Sequence, residues 1–280
     1  MPIARLPRSI LRVAGEDAGA FLDALLTNDV SAATADRAVY AALLTPQGKL
    51  IADIVAHRAD DGALLLDVAA ERGADLLGRL KLYRLRRRID LDDASDAFAV
   101  VLRYGADATG PPDPRRPDGV LGARVLSTPD PPPLDPFPDF EAHRIRLGVP
   151  DPAVDAGPEE VFALEALLEE FHGVDFQKGC FIGQENVSRM KRRATTRRKF
   201  CRLAFDGAPP PFGAPITAGQ AAIGEVRSGV AGCAIALVRL DRALEAQAQG
   251  IPLMAGDMTV RLDPPAWLVM PEKTTSKGDA

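Results

Sequence analysis

Apolar residues recur along this chain with two different periods, and the places where the period changes divide it. Residues 16–27 set Ala18, Phe21, Leu22, Leu25 and Leu26 at helical spacing, and Asn28 follows as a residue suited to ending a helix in a left-handed turn. Residues 39–45 and 50–57 read as strands around Pro46-Gln47-Gly48, where Pro sets φ early in a turn and Gly tolerates positive φ later. Residues 63–68 predict a further strand, and 71–85 a helix that turns basic at its end. This first stretch therefore reads as α/β units.

Between 104 and 140 proline and glycine dominate, which no packed helix tolerates, so a long surface connection of short turns is expected, with one strand near 120–126. Residues 159–171 predict a second helix, with Val161, Leu164, Leu168 and Phe171 on one stripe and Gly173 as its C-cap. Beyond Arg198 the texture changes to short apolar runs (200–205, 222–227, 231–240 and 259–262) broken by Gly and Pro, the pattern of a small β barrel or sandwich. The expected organisation is residues 1–198 as α/β domains in two subdomains, 199–270 as the barrel and 271–280 as a frayed polar tail.

Composition narrows the function classes. A net charge of −5 gives no whole-chain attraction to nucleic acid or membrane, so any anion site must come from a local cluster. The apolar stretches stop well short of the ~20 residues a spanning helix needs, and the first residues lack the features of a leader, so a cytoplasmic protein is expected. The three cysteines, Cys180, Cys201 and Cys233, are widely spaced, which supports neither a structural zinc nor a self-sufficient iron–sulfur cluster. His57, His143 and His172 are scattered, with no H-E-x-x-H, and neither a G-x-S-x-G elbow nor a Walker loop is present. No resident metal is expected.

The most informative stretch is 174–190, VDFQKGCFIGQENVSRM. Gly179 and Gly183 bracket Cys180, allowing the backbone turns closed to other residues and close approach to a ligand. The helix-compatible run after Gly183 places Cys180 just ahead of a helix N-terminus, which, with Lys178 nearby, favours a thiolate. A small buried thiol is the alternative. Dense basic runs lie at Lys81, Arg84, Arg86, Arg87 and Arg88 and at Arg189, Lys191, Arg192, Arg193, Arg197, Arg198 and Lys199. Either run could border an anion site or form a solvated surface. RNA is a rival partner, but three Tyr and one Trp offer little stacking surface.

The run Lys178-Gly179-Cys180-Phe181-Ile182-Gly183-Gln184-Glu185 resembles the K-G-C-[FY]-x-G-Q-E signature of the YgfZ family and its mitochondrial counterpart. Leu26-Thr27-Asn28-Asp29-Val30, Thr45-Pro46-Gln47-Gly48-Lys49 with Asp53, and the segment EAHRIRLGVP at 141–150 match other family segments in order. The resemblance implies an α+β fold like that of the glycine-cleavage T-protein: a multidomain ring of ferredoxin-like α/β domains with a C-terminal β barrel around a folate-sized opening. It also implies tetrahydrofolate as cofactor and a role in iron–sulfur cluster assembly or repair, including in tRNA-modifying enzymes, with client or assembly proteins as partners. Cys180 and Asp53 become the candidate catalytic groups, and Glu165, Lys178, Gln184, Glu185, Arg198 and Asn28 the candidate folate contacts. Leu164-Glu165-Ala166 is similar to the T-protein's L-E-A, whose glutamate contacts the pterin, and a carboxylate suits a pterin's paired N–H donors. Where the T-protein has tandem aspartates this chain reads Ala52-Asp53, which leaves enzyme activity open and an aminomethyltransferase as the alternative. A one-residue register decides whether Asp53 faces the folate side.

Overall fold

Every apolar run read as a strand enters one of three antiparallel sheets. The computed structural model describes residues 1–130, 134–193 and 196–271. The chain opens with β1 (Ile3–Arg5), β2 (Arg8–Ala14) and a short helix α1 (Ala18–Asp23), then β3 (Val39–Leu44), β4 (Leu50–Arg58), β5 (Leu64–Ala69) and helix α2 (Ala70–Arg84). After β6 (Asp90–Asp93) and β7 (Ala99–Arg103) come β8 (Ala123–Ser127) and helices α3 (Phe137–Leu147), α4 (Pro152–Asp155) and α5 (Gln184–Arg192). The remainder is β9 (Arg198–Ala204), β10 (Pro215–Ala218), β11 (Ala221–Val230), β12 (Cys233–Arg239), α6 (Leu240–Ala248), β13 (Leu253–Ala255) and β14 (Met258–Leu262).

The sheets are β3-β4-β5-β2-β6, β1-β7-β8, and a closed six-stranded barrel β10-β11-β12-β9-β14-β13. This is the expected α+β architecture with a C-terminal barrel. One continuous apolar core runs from the inner face of the five-stranded sheet (Ile10, Tyr40, Ala42, Val55) through Val100 and Leu102 of the small sheet to Phe200 and Leu203 of the barrel. A second core fills the opposite face beneath α1 and α2, with Leu43, Ile54, Leu66 and Leu76. Because both faces of β3, β4 and β5 are covered, these strands read as nearly unbroken apolar runs rather than as alternations.

The expected helix over 159–171 does not form. Glu159, Leu167 and His172 take positive φ (55°, 62° and 54°), which breaks the segment into single turns. Backbone groups that a helix would pair internally go to the hairpin instead: Leu50 N–H donates to the Val161 carbonyl at 2.9 Å, and Ala163 N–H to the Gly48 carbonyl at 3.2 Å. Residues 163–168 are all buried, so no azimuth is left for the polar face that a stripe implies. The first helix is also shorter than expected, and Asn28 does not adopt the left-handed conformation. The proline-rich segment departs from a surface connection: Asp113, Arg115 and Leu121 are buried within the molecule. Helix α3 starts at the end of this segment, with Pro138 in its first turn, where a missing N–H is tolerated. Of the expected tail, residues 272–280 lie outside the described residues.

Candidate functional site

The loop bearing Cys180 is pinned on both sides. Lys178 Nζ donates to the carbonyls of Asp23 (2.8 Å), Leu26 (2.9 Å) and Asn28 (3.2 Å), and its ammonium lies 2.9 Å from the Asp23 carboxylate. It thereby caps the chain just past α1, where helix-terminal carbonyls have no internal partner. Asn28 supports the same junction, donating from Nδ2 to the carbonyls of Tyr40 (2.9 Å) and His172 (2.8 Å). Lys178 and Asn28, expected to face a ligand, therefore act as ties between distant segments.

Downstream, Gly183 takes φ +82° as the N-cap of α5, and an added Cβ would lie 2.7 Å from the Thr45 carbonyl oxygen. No side chain fits between this loop and the first hairpin. Asn186 Nδ2 donates to the Gln47 carbonyl at 2.5 Å, closing the same contact. Gly179 differs from expectation: it is not left-handed, and an added Cβ would meet nothing within 4 Å. Between these anchors Cys180 is exposed, just ahead of α5 as the sequence predicts. Gln184 Nε2 reaches back to the Gly179 carbonyl at 3.4 Å, and Glu185 stands exposed in the first turn of α5. The other two thiols sit on barrel strands. Burial pushes Cys201 up to about 12, and it also raises half-buried Cys233.

An open hollow of about 540 Å³ adjoins the loop, lined by Asp23, Asp29, Asp175, Gln177, Gly179 and the predicted site residue Lys178 among others. Three aspartates outnumber Lys178 in its lining, and no arginine among the described residues borders it. Three members of the basic run after Cys180 are instead engaged by glutamates. Lys191 meets Glu169 at 2.7 Å, Arg198 meets Glu165 at 2.9 Å, and Lys199 meets Glu170 at 2.5 Å.

Glu165 lies apart from this hollow. Its two carboxylate oxygens accept from Arg198 Nε and Nη2 (2.9 and 3.0 Å), and Oε2 also accepts from the Phe162 N–H at 2.9 Å. Glu165 thus closes the turn that replaces the expected helix. It is 7 % exposed, with both oxygens engaged.

Asp53 opposes Ala42 across the β3–β4 ladder, while Ala52 opposes Leu43. Asp53 therefore shares the inner face with Tyr40, whose hydroxyl is 3.4 Å from Oδ2. Ala52, at the position of the missing aspartate, faces the helix-covered core. Burial pushes the Asp53 carboxyl up, Arg8 opposes this, and Asp151 adds to it. Beside it runs a chain of buried charges that sequence reasoning missed. Asp67 bonds Arg8 (2.5 Å) and Arg124 (2.6 Å), and Asp113 bonds Arg124 (3.1 Å) and Arg115 (2.9 Å). Burial alone would raise Asp67, but the guanidiniums of Arg124 and Arg8 overcome it and hold the carboxyl well below the usual range. The one available signal was an aspartate inside the apolar strand Leu64–Ala69.

Folate, implied by the fold, can be tested against these residues. The cavity bounded by Arg8, Arg115, Arg124, Asp151, Phe137 and Phe140 is about 60 Å³, and the space beside Asp53 and Ala52 is about 10 Å³. Sites for organic ligands of this size are roughly 300–1,000 Å³. Neither of these two spaces admits a folate, and both oxygens of Glu165 are already engaged; the hollows of ligand size are the one of about 540 Å³ beside the cysteine loop and one of about 450 Å³ lined by Arg115, Arg116, Glu169, Glu170, His172 and Trp267 among others.

Residues 9–109 match the GCVT N-terminal domain, and residues 197–270 match the CAF17 C-terminal beta-barrel domain. The mitochondrial iron–sulfur cluster assembly factor IBA57 of Homo sapiens is 32% identical over 270 residues, covering 82% of this chain and 75% of that protein. The IBA57 homolog of Mycosarcoma maydis is 32% identical over 243 residues, 75% of this chain and 59% of that protein. The homolog of Neurospora crassa is 28% identical, and 54% of its length is spanned. The chain thus covers just over half of these fungal relatives. In solved structures, the glycine cleavage system aminomethyltransferase T from Bartonella henselae superposes with a TM-score of 0.73 at 13% identity, covering 95% of this chain and 86% of that one. The expectation of a cytoplasmic protein is corrected here, because these IBA57 relatives are mitochondrial proteins.

Proposed function

Because this chain belongs to the family of the iron–sulfur cluster assembly factor IBA57, we propose that it works in iron–sulfur cluster assembly, with the Cys180 thiol as its contact to the cluster. The observation that carries this is an exposed thiol in a loop whose two ends are fixed, by Lys178 on one side and Gly183 on the other. Exposure gives access, and the fixed ends hold the sulfur without a large ordering cost on binding.

The cluster is cargo. Thiolate-bound clusters use four thiolates, and among the described residues no group of three or more His, Cys, Asp or Glu could hold a metal ion. Cys180 therefore supplies one ligand, and a partner's thiols supply the rest. Its S–H gives up the proton as sulfur bonds iron, and the thiolate displaced on the donor takes that proton up. The acidic hollow beside the loop suits a basic partner surface.

The Lys178–Gly179–Cys180 signature supports the narrower YgfZ-like reading and clients that include tRNA-modifying enzymes. Tetrahydrofolate belongs to the same reading as a ligand of a size that the two open hollows admit, and an aminomethyltransferase reading rests on a likeness of fold alone. The test is a Cys180→Ala variant expressed in cells lacking the native protein. Activity of cluster-dependent enzymes should fall toward the level of the empty vector, while circular dichroism stays unchanged. Full enzyme activity in those cells would overturn the role of the thiol.

A further inference from the structure

The last turn of α2 stands clear of the rest of the molecule. Residues 81–88, Lys-Leu-Tyr-Arg-Leu-Arg-Arg-Arg, are exposed at every position. Successive helical residues are about 100° apart, so Lys81, Leu82, Tyr83 and Arg84 sample nearly the whole circumference, and of these Tyr83, at 38% exposed, is partly covered. Leu82 is 77% exposed and Leu85 83%. Leu85 also takes φ 51° and ψ −116°, a conformation that costs a non-glycine residue energy and turns the chain sharply at the tip. The base of the tip is fixed to α1 and the residues before it: Arg87 lies 5.8 Å over the Phe21 ring, and Arg88 pairs with Glu16 at 2.7 Å. Lys81, Arg84 and Arg86 have no ion-pair partner among the described residues. No acidic residue falls within the eight.

We infer that this tip docks on an anionic phospholipid surface. The form is convex, so it is not a groove for a peptide. A nucleic acid would make use of the cations but not of the leucines, and Tyr83 is the lone aromatic for stacking. A bilayer surface uses all three kinds of residue. Leu82 and Leu85 enter the acyl boundary, Tyr83 lies at headgroup depth, and Lys81, Arg84 and Arg86 meet lipid phosphates. No spanning segment is involved: among the described residues no helix is long and apolar enough to cross a membrane. The net charge of −5 does not oppose docking, because salt screens charges more than about 8–10 Å away and the surface responds to the local cluster.

The test is flotation of the full chain with vesicles of phosphatidylcholine alone, and of phosphatidylcholine with about one-third phosphatidylglycerol. Binding is expected to the second set only, weakening as salt is raised. Leu82→Ser with Leu85→Ser should lower partitioning at least about tenfold, and Arg84→Gln with Arg86→Gln roughly 25-fold. Both double variants should melt like the wild type, since all four side chains are exposed. Three results would each overturn the inference. One is absence of the wild type from anionic vesicles at low salt. Another is partitioning unchanged by the leucine substitutions. The third is binding to tRNA that depends on Arg84 and Arg86 without any vesicle binding.

Discussion

Replacing Lys178 by Met separates two accounts of the cysteine loop. Met keeps the aliphatic stem and removes the ammonium. Three backbone carbonyls, those of Asp23, Leu26 and Asn28, then lose a charged donor, and Asp23 loses its ion partner. A hydrogen bond to a charged group is worth about 1.5–3 kcal/mol on deletion, and such bonds to one donor do not add fully. The Lys178 side chain is 4% exposed, so water cannot readily take its place, whereas Asp23 is 42% exposed and is resolvated at little cost. The net loss is about 3 kcal/mol, which for a chain of this size lowers Tm by roughly 6–12 °C. Urea and thermal unfolding followed by circular dichroism measure this, and reaction of the native protein with a chromogenic disulfide follows the Cys180 thiol. If Lys178 is a tie, stability falls and the thiol reacts as fast or faster. A variant as stable as the wild type within about 1 kcal/mol, with a slowed thiol, would refute the argument and return Lys178 to thiolate activation.

Two further outcomes follow from the same geometry. Gly183→Ala puts a Cβ 2.7 Å from the Thr45 carbonyl oxygen at φ +82°, so a loss of about 2–4 kcal/mol is expected in urea unfolding; a neutral substitution would show the hairpin contact to be loose. Asp53→Asn bears on pH. Burial raises the folded-state pKa of Asp53 above its unfolded value, so the folded chain binds that proton more tightly and this group's contribution to stability falls as pH rises between the two values. The Asn variant should exceed the wild type in stability at neutral pH, with the gap closing as pH drops toward the ordinary carboxylate value near 4. A gap that widens on acidification would mean that Asp53 is stabilised as an anion.

Much of the candidate site was legible in the chain. The hairpin turn and Gly183 carry their reasons locally, since each needs a positive φ that glycine supplies. The exposure of Cys180 was not legible, because a free cysteine in sequence is as compatible with a core as with a surface. Glu165 falls in the segment 159–171, whose spacing predicts a helix that does not form; its partner, Arg198, is brought to it only by the packing of the turn at 162–168 on the first strand of the barrel. The arginines were visible as runs, but their partners were not. Lys191, Arg198 and Lys199 are neutralised by glutamates 22 to 33 residues away.

By itself the sequence determined what depends on a few adjacent residues: the strands of both-sided burial, the barrel texture after Arg198, the turn at Gly48, and the glycine-bracketed loop around Cys180. These follow from periodicity and from backbone preferences, which act over one or two turns of chain. The tertiary structure decided the rest. It chose hairpin pairing over helix at 159–171, turned Asp53 to the inner face and Ala52 to the helix-covered core, buried Asp113 and Arg115 out of a proline-rich segment, and left the end of α2 exposed. Each of those outcomes depends on which distant surface arrives to satisfy a backbone group, a charge or an apolar face, and chain-local preference carries no record of that.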